Sequence, residues 1–595
     1  MSESDAAPDP TQDSAPDAIA PLVLGPMLRY IGETDATVWV ETSVSGVVTV
    51  HVDGRDWTAP TFVVKGHHYA LVVVDGLEAG GSWEYAVSID GTPVWPEPDA
   101  AYPPPRIRTI DRARPTRLLF GSCRTSVPHD RKGHETNGVD ALRTLALALA
   151  RGEEEWPDLV AFLGDQVYAD ETSEAMREFI AARRDLDAPP GEEIKDYEEY
   201  AHLYQLAWGD EANRWLLSTV PSCMIFDDHD IRDDWNTSWT WHEEINRTPW
   251  WHERLMGGLS SYWVYQHIGN LSPSQLAEDE IYARVLDGQH ASGGDELDLT
   301  EAVFDLARRA DRHPEVYRWS YRRDLGDSRL VVVDSRAARV LQPQHRSMLD
   351  PDEMRWLDQQ LTGDVEHLLI GTSLPFLLPP GLHDLEAIDE ALAMGTHGRL
   401  VAHGAEKARQ SIDLEHWAAF NDGFVEVFEM VMEVARGERG RAPASIVFLS
   451  GDVHNSYVAE VVDARTRHGA SSRIVQAVCS PIRNPMPRMV RVMMSAFARG
   501  LVRPMRLVAR HSKHVPDPAY PWVVTDGPWF DNCLAELTVQ GRDLSIVWRG
   551  GEIRGGDDAH PVLTTVASVR LPGPAGSART EAAGRVGSPS PGPVS

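Results

Sequence analysis

Four short polar clusters carry metal-ligating side chains, and each follows an apolar, β-branched run. They are Phe120-Gly-Ser-Cys123-Arg124, Gly164-Asp165-Gln-Val-Tyr168-Ala-Asp170, Asp227-Asp228-His229-Asp230 and Gly451-Asp452-Val-His454. Singly, each has a plainer reading. Gly-Asp pairs are common turns, Cys123 is a small buried hydrophobe, Asp227 to Asp230 is a solvated loop, and Arg336 is a structural ion pair. Four such clusters at the ends of four runs point instead to one convergent centre. In open α/β sheets, loops at the carboxyl ends of strands line the ligand crevice.

Donor types say which cations would suit. Asp165 is placed to bridge two ions, while Tyr168 offers a phenolate, Cys123 a thiolate and His454 an imidazole. That set matches ferric iron better than zinc. Asp228, Asp452 and the shared Asp165 form an oxygen-only set, which favours Ca2+, Mg2+ or Mn2+. Two cations roughly 3.5–4 Å apart clamp a phosphoryl group and lower the pKa of a bound water. The expected reaction is hydrolysis of phosphate mono- or diesters by attack of a metal-bound hydroxide at a dinuclear site. His229 would point toward the leaving oxygen as acid or transition-state donor. Arg124 and Arg336 would bind phosphate oxygens. The competing reading is a catalytically silent metal-binding scaffold that recruits a partner; a nuclease or phospholipase would use the same centre.

The elements that must hold these clusters are legible as runs. Arg117-Leu-Leu-Phe, Leu159-Val-Ala-Phe-Leu, Cys223-Met-Ile-Phe and Ile446-Val-Phe-Leu-Ser read as buried strands, joined by Arg329-Leu-Val-Val-Val, His367-Leu-Leu-Ile-Gly and Ile474-Val-Gln-Ala-Val. Helical patterns open at Asp140 and Asp350. Strands alternating with helices over residues 113–570 predict an α/β domain, interrupted by helical insertions near 171–220, 235–325 and 483–515. Tryptophans at 235, 239, 241, 250, 251 and 263 form either the second insertion's own core or the walls of a pocket. Residues 21–112 alternate short strands with Gly-containing turns, the pattern of a small antiparallel β-sandwich. Residues 535–548 read as a hairpin covering a sheet edge. Residues 1–20 and 571–595 read as disordered tails.

A chain of 595 residues needs more than one core, and 42% hydrophobic residues supply the apolar surface. The formal net charge of −34 argues against a nucleic acid partner and leaves a small phosphoester as the expected substrate. The first residues show no signal peptide or twin-arginine pattern, and no apolar run reaches the roughly 18 residues of a membrane span. A cytoplasmic protein with reduced cysteines is expected.

Gly-Asp-x-x-Tyr, Asp-Asp-His-Asp and Ser-Gly-Asp-Val-His, in this order, resemble the calcineurin-like metallophosphatase superfamily. With Gly-Ser-Cys-Arg and a preceding β-sandwich, the chain resembles the PhoD-like alkaline phosphatase family from about residue 22 to 480. The resemblance implies a four-layer α/β/β/α core behind a fibronectin-like sandwich, and hydrolysis of phosphate mono- and diesters. It implies that Cys123, Asp165, Tyr168 and His454 hold Fe3+ while Asp165, Asp228 and Asp452 hold Ca2+, with Mn2+, Mg2+ or Zn2+ as alternatives. His229 falls on the catalytic histidine, and Asp234 and Asn236 on supports for a further calcium. Two features depart from the pattern. Members are typically exported by a twin-arginine signal, and Gly371-Thr-Ser-Leu-Pro375 lacks a histidine that many relatives in the wider superfamily place there, so water or phosphate oxygen is expected to fill that position.

Residues 483–513 carry no acidic side chain. On a continuous helix Arg488, Arg491, Arg499, Arg503, Arg506 and Arg510 would share one face, suited to peripheral contact with anionic lipid over 488–510. The competing expectation is an internal face paired with the surplus carboxylates. Gly500 and Pro504 interrupt that helix.

Overall fold

The computed structural model describes residues 21–573 apart from 291–295, 343–344, 394–398, 412–413, 498–501, 512–514 and 516–517. The expected tails, 1–20 and all but the first residues of 571–595, lie outside the described residues.

From Leu22 to Arg108 short strands form two antiparallel sheets. One orders Leu22–Ile31, Ala36–Thr42, His67–Val74 and Phe62–Val64; the other orders Arg55–Pro60, Val47–Val52, Ser82–Ile89 and Thr92–Trp95. Alternation sets their faces: Val48, Val50 and Val52 are buried while Val47 is exposed. The first sheet gains a strand from far along the chain, because Leu297–Asp298 pairs in parallel with Phe62–Val64. The tryptophan-bearing insertion is thus bonded to the amino-terminal sheet. Arg29, fully buried, adds to the tie by donating to the carbonyls of Tyr265 and Gln266 at 2.6 and 2.7 Å.

Two larger sheets carry the α/β core. In the first, Ser222–Ile225, Leu159–Leu163 and Thr116–Gly121 run parallel. Leu534–Gln540, Asp543–Glu552 and Val562–Leu571 continue it antiparallel, so the expected closing hairpin is a three-stranded meander. In the second, Ser328–Val333, His367–Thr372, Ser445–Ser450 and Arg473–Val478 run parallel at the centre, flanked by Tyr321–Leu325, Ser456–Val461 and Trp522–Trp529. Leu159–Leu163, His367–Thr372 and Ser445–Ser450 are buried at every position, as expected of parallel strands covered on both faces. Asp140 caps the helix Ala141–Ala150 by accepting the amides of Leu142 and Arg143.

Apart from Trp239, the tryptophans of the second insertion join a core shared with the amino-terminal strands rather than one of their own. Trp251 and Trp263 are buried in the core, while Trp235 and the 40%-exposed Trp239 line a cleft of about 1040 Å³.

Of the six stripe arginines, the side chains of Arg488, Arg491 and Arg506 are among the described residues, and Arg488 is exposed. Arg488–Ser495 and Val502–His511 are helical, and residues 498–501 between them lie outside the described residues. Arg491 donates to the Met486 carbonyl at 2.7 Å and lies over the Phe530 ring, and Arg506 pairs with Asp384 at 3.2 Å. A carbonyl and a carboxylate thus hold Arg491 and Arg506, while Arg488 faces solvent. Met489, Val492 and Met493 are exposed as well. Arg499 and the side chains of Arg503 and Arg510 lie outside the described residues. Among the described residues, no helix is long and apolar enough to cross a membrane.

Candidate metal centre

Four parallel strands deliver the clusters to one place. Thr116–Gly121 ends two residues before Cys123, Leu159–Leu163 two before Asp165, Ser222–Ile225 two before Asp227, and Ser445–Ser450 two before Asp452. The chain turns sharply at the donors themselves, with φ of +57° at Cys123, +32° at Asp165, +63° at Asp452 and +47° at His454. Such left-handed positions cost on the order of 1 kcal/mol each outside glycine. Gly451 lets the exits of the two sheets approach: a β carbon there would fall 1.9 Å from Ser122 Oγ and 3.0 Å from the Leu163 carbonyl. Ser122 Oγ then accepts the Asp452 amide at 2.9 Å.

The convergence is tight. One donor atom each from Cys123, Asp165 and His454 lies within 4.8 Å of the others, and so does one each from Asp165, Asp227 and Asp228. Asp165 belongs to both groups, which is the geometry of a shared ligand. Tyr168 Oη donates to Asp165 Oδ2 at 3.2 Å and accepts from Asn484 at 3.1 Å. The backbone carbonyl of Asp452 lies 3.7 Å from Cys123 Sγ.

Electrostatics explain what the centre needs. Burial pushes the Cys123 thiol and the Tyr168 phenol well above their ordinary values, and the neighbouring Asp165 carboxylate adds to both. Burial also raises Asp165 and Asp452 well above the carboxylate range, reinforced by the crowding of Asp227 and Asp228. Asp228 is pushed up to about 7, and His454 down to about 4, which leaves a neutral imidazole able to coordinate. Asp165 Oδ1, Asp227 Oδ2 and Asp228 Oδ1 are buried without a hydrogen-bond partner. Buried acceptors that repel one another and lack donors are relieved by cations. The donor set fits one softer and one harder ion.

His229 is oriented by Asp170, whose Oδ1 lies 2.9 Å from Nδ1 and whose Oδ2 accepts the Asp233 amide at 2.6 Å. Burial alone would lower its pKa, but Asp170, with Asp228 and Asp165, raises it well above the usual value. Arg336 is fully buried between Asp227, Glu415 at 2.5 Å and Asp228 Oδ1, which is 3.1 Å away without the alignment of a hydrogen bond. It braces the carboxylates rather than opening onto a free phosphate. Asp234 donates its amide to Asp228 Oδ2 at 3.0 Å, and Asn236 donates to the Arg336 carbonyl at 3.3 Å, so both reinforce the same wall.

Arg124 does not enter the centre. Its guanidinium bonds Asp140 at 2.8 and 3.0 Å and the Ala207 carbonyl at 2.6 Å. The helix cap has claimed it, and the phosphate role expected for it falls away. Three participants went unassigned in the sequence. Asp227 and Asp170 lie inside the quoted clusters, where doubled carboxylates were the available signal. His416, paired with Glu386, comes from the link before the 3₁₀ turn Trp417–Phe420 and has no strand-end signature.

A family model described as PhoD-like phosphatase matches residues 146–509, and one described as a domain of unknown function, DUF7800, matches residues 19–107. Among solved structures, one described as "Structure of PhoD" is similar with a TM-score of 0.57 and 14% identity, covering 94% of this chain and 92% of that one. At that identity the likeness speaks for the fold. The type III pullulan hydrolase from Thermococcus kodakarensis aligns with a TM-score of 0.13 and 9% identity over 92% of this chain and 97% of that one, and carries no argument. No curated protein matches the chain.

Proposed function

Because the chain belongs to the PhoD-like phosphatase family, we propose that it is a metal-dependent phosphoesterase that hydrolyses small phosphate mono- or diesters at a centre of two ions. The observation that carries this reading is the pair of donor groups meeting at Asp165, where Asp165 Oδ1 and Asp227 Oδ2 are buried without a hydrogen-bond partner. Cys123, Asp165, Tyr168 and His454 would hold one ion, ferric iron by donor type. Asp165, Asp228 and Asp452, with Asp227 beside them, would hold the second, calcium by its oxygen donors or manganese or magnesium in its place. When bound, the ions lower the pKa of a water and neutralise charge on the phosphoryl oxygens.

The protein's own side chains do the rest. His229, held at Nδ1 by Asp170, would give a proton from Nε2 to the leaving oxygen. Arg336 keeps Asp227 and Asp228 from turning away. We infer the layering to be the four-layer α/β/β/α core with a fibronectin-like sandwich ahead of it. The test is turnover of a generic aryl phosphate monoester and diester by metal-replete protein, with loss on chelation. A protein that binds two ions and hydrolyses neither ester would instead be the silent scaffold.

A further inference from the structure

A second carboxylate–imidazole pair reaches the centre from outside the four clusters. The helix Pro380–Ala393 carries Glu386, and His416 immediately precedes the short 3₁₀ turn Trp417–Phe420. Glu386 is fully buried, and its Oε1 lies 2.7 Å from His416 Nδ1. The segment is clamped on both sides of the ring. Leu414 packs with Leu378 and Leu382, Trp417 and Phe420 enter a second core, and Glu415 is gripped by Arg336 and Arg339.

With Nδ1 committed to Glu386, the direction of the other ring nitrogen is fixed. His416 Nε2 is buried without a hydrogen-bond partner and lies 3.9 Å from Asp452 Oδ2. That gap is too long for a hydrogen bond. It matches the span of two donors on one cation, with bonds of roughly 2.0–2.5 Å on either side. Metal-bound histidines almost always give their other ring nitrogen to a carboxylate or carbonyl, as His416 does to Glu386. The exit Gly371-Thr-Ser373 supplies no competing nitrogen, since Ser373 Oγ is bonded to Ser335 at 2.8 Å.

We propose that His416 is a ligand of the second ion, positioned by Glu386, so that this ion sits among Asp165, Asp228, Asp452 and an imidazole rather than among oxygens alone. The inference rests on the two-ion reading above and changes the preferred cation. A nitrogen donor moves the site from Ca2+ and Mg2+ toward Mn2+ or another transition ion.

The test reads metal rather than turnover. Mn2+ is titrated into chelator-stripped full-length protein, and free Mn2+ is followed by electron paramagnetic resonance. His416→Ala weakens one Mn2+ site at least about tenfold, and Glu386→Gln weakens the same site by roughly 10–100-fold. In a His454→Ala background, nitrogen hyperfine coupling to bound Mn2+ persists, and it disappears when His416→Ala is added. Unchanged Mn2+ affinity in folded His416→Ala overturns the proposal. So does weakened binding of inorganic phosphate with Mn2+ affinity intact, which would turn the imidazole toward the phosphoryl group. If His416→Ala does not fold, Glu386→Gln keeps both volume and imidazole, and unchanged Mn2+ affinity there is equally decisive. Because no ester is used, a wrong phosphoesterase reading would show separately, as a protein that binds both ions and turns nothing over.

Discussion

At the scale of single residues, Asp165 is the junction of the centre, and its substitution separates charge from shape. Asp165→Asn keeps the volume but removes the second anionic oxygen needed to join two cations. It is expected to lower kcat/KM by orders of magnitude and to reduce bound metal, measured by steady-state kinetics beside elemental analysis; retained activity would contradict the bridging role. His229→Ala is different in kind. It should lower kcat by about 10²–10⁴ with metal content unchanged if its Nε2 serves the leaving oxygen, even though one donor atom each from Asp228, His229 and Asp233 also lies within 4.8 Å of the others. Metal loss in that variant would make His229 a ligand. Residue types alone brought Cys123, Asp165, Asp228 and His454 to a common place, because thiol, imidazole and carboxylate at successive strand exits leave few other ways to be buried. They misplaced Arg124. A guanidinium at a strand exit is equally suited to phosphate and to a helix-capping aspartate, and only the folded neighbour Asp140 decides.

At the scale of elements, that capping aspartate turns a misplaced ligand into a stability prediction. Arg124→Ala leaves the buried Asp140 without its closest cation, which costs up to about 3 kcal/mol and lowers Tm by calorimetry, with metal content preserved. Burial alone would raise the Asp140 carboxyl, but Arg124, with His129 and Arg483, holds it well below the carboxylate range. A depressed folded pKa contributes stability above the unfolded value near ~3.9. That contribution is lost as pH falls further toward the folded value. Denaturant unfolding followed from pH 6 to pH 3 should therefore steepen in wild type below about pH 4, and the extra slope should be missing from Asp140→Asn. Strands in continuous apolar runs were legible because burial on both faces leaves no polar alternation to confuse them. Leu297–Asp298 was not legible, since two residues carry no period and only the partner strand makes them a strand. Periodicity likewise gives the face of a helix but not its partners, and only the fold brings Asp384 to Arg506.

At the scale of the whole molecule, the centre joins two sheets. Cys123, Asp165 and Asp228 leave the six-stranded sheet, while Asp452 and His454 leave the seven-stranded one. Cations held there bind the folded chain and not the unfolded one. At a free concentration one hundred times Kd, each contributes about 2.7 kcal/mol. Chelation should therefore lower Tm by differential scanning calorimetry, and readdition of metal should restore it. A Tm indifferent to chelator would mean that the carboxylates are satisfied in some other way.

The tie between Arg29 and the carbonyls of Tyr265, Gln266 and Ser222 reaches beyond stability. A truncation near residue 110 would strand those three acceptors and leave Leu297–Asp298 without an edge to join. The front of this protein is therefore no cassette to be swapped between relatives: its heritable unit is discontinuous, and a working chimera has to carry the stretch around 260–300 along with it.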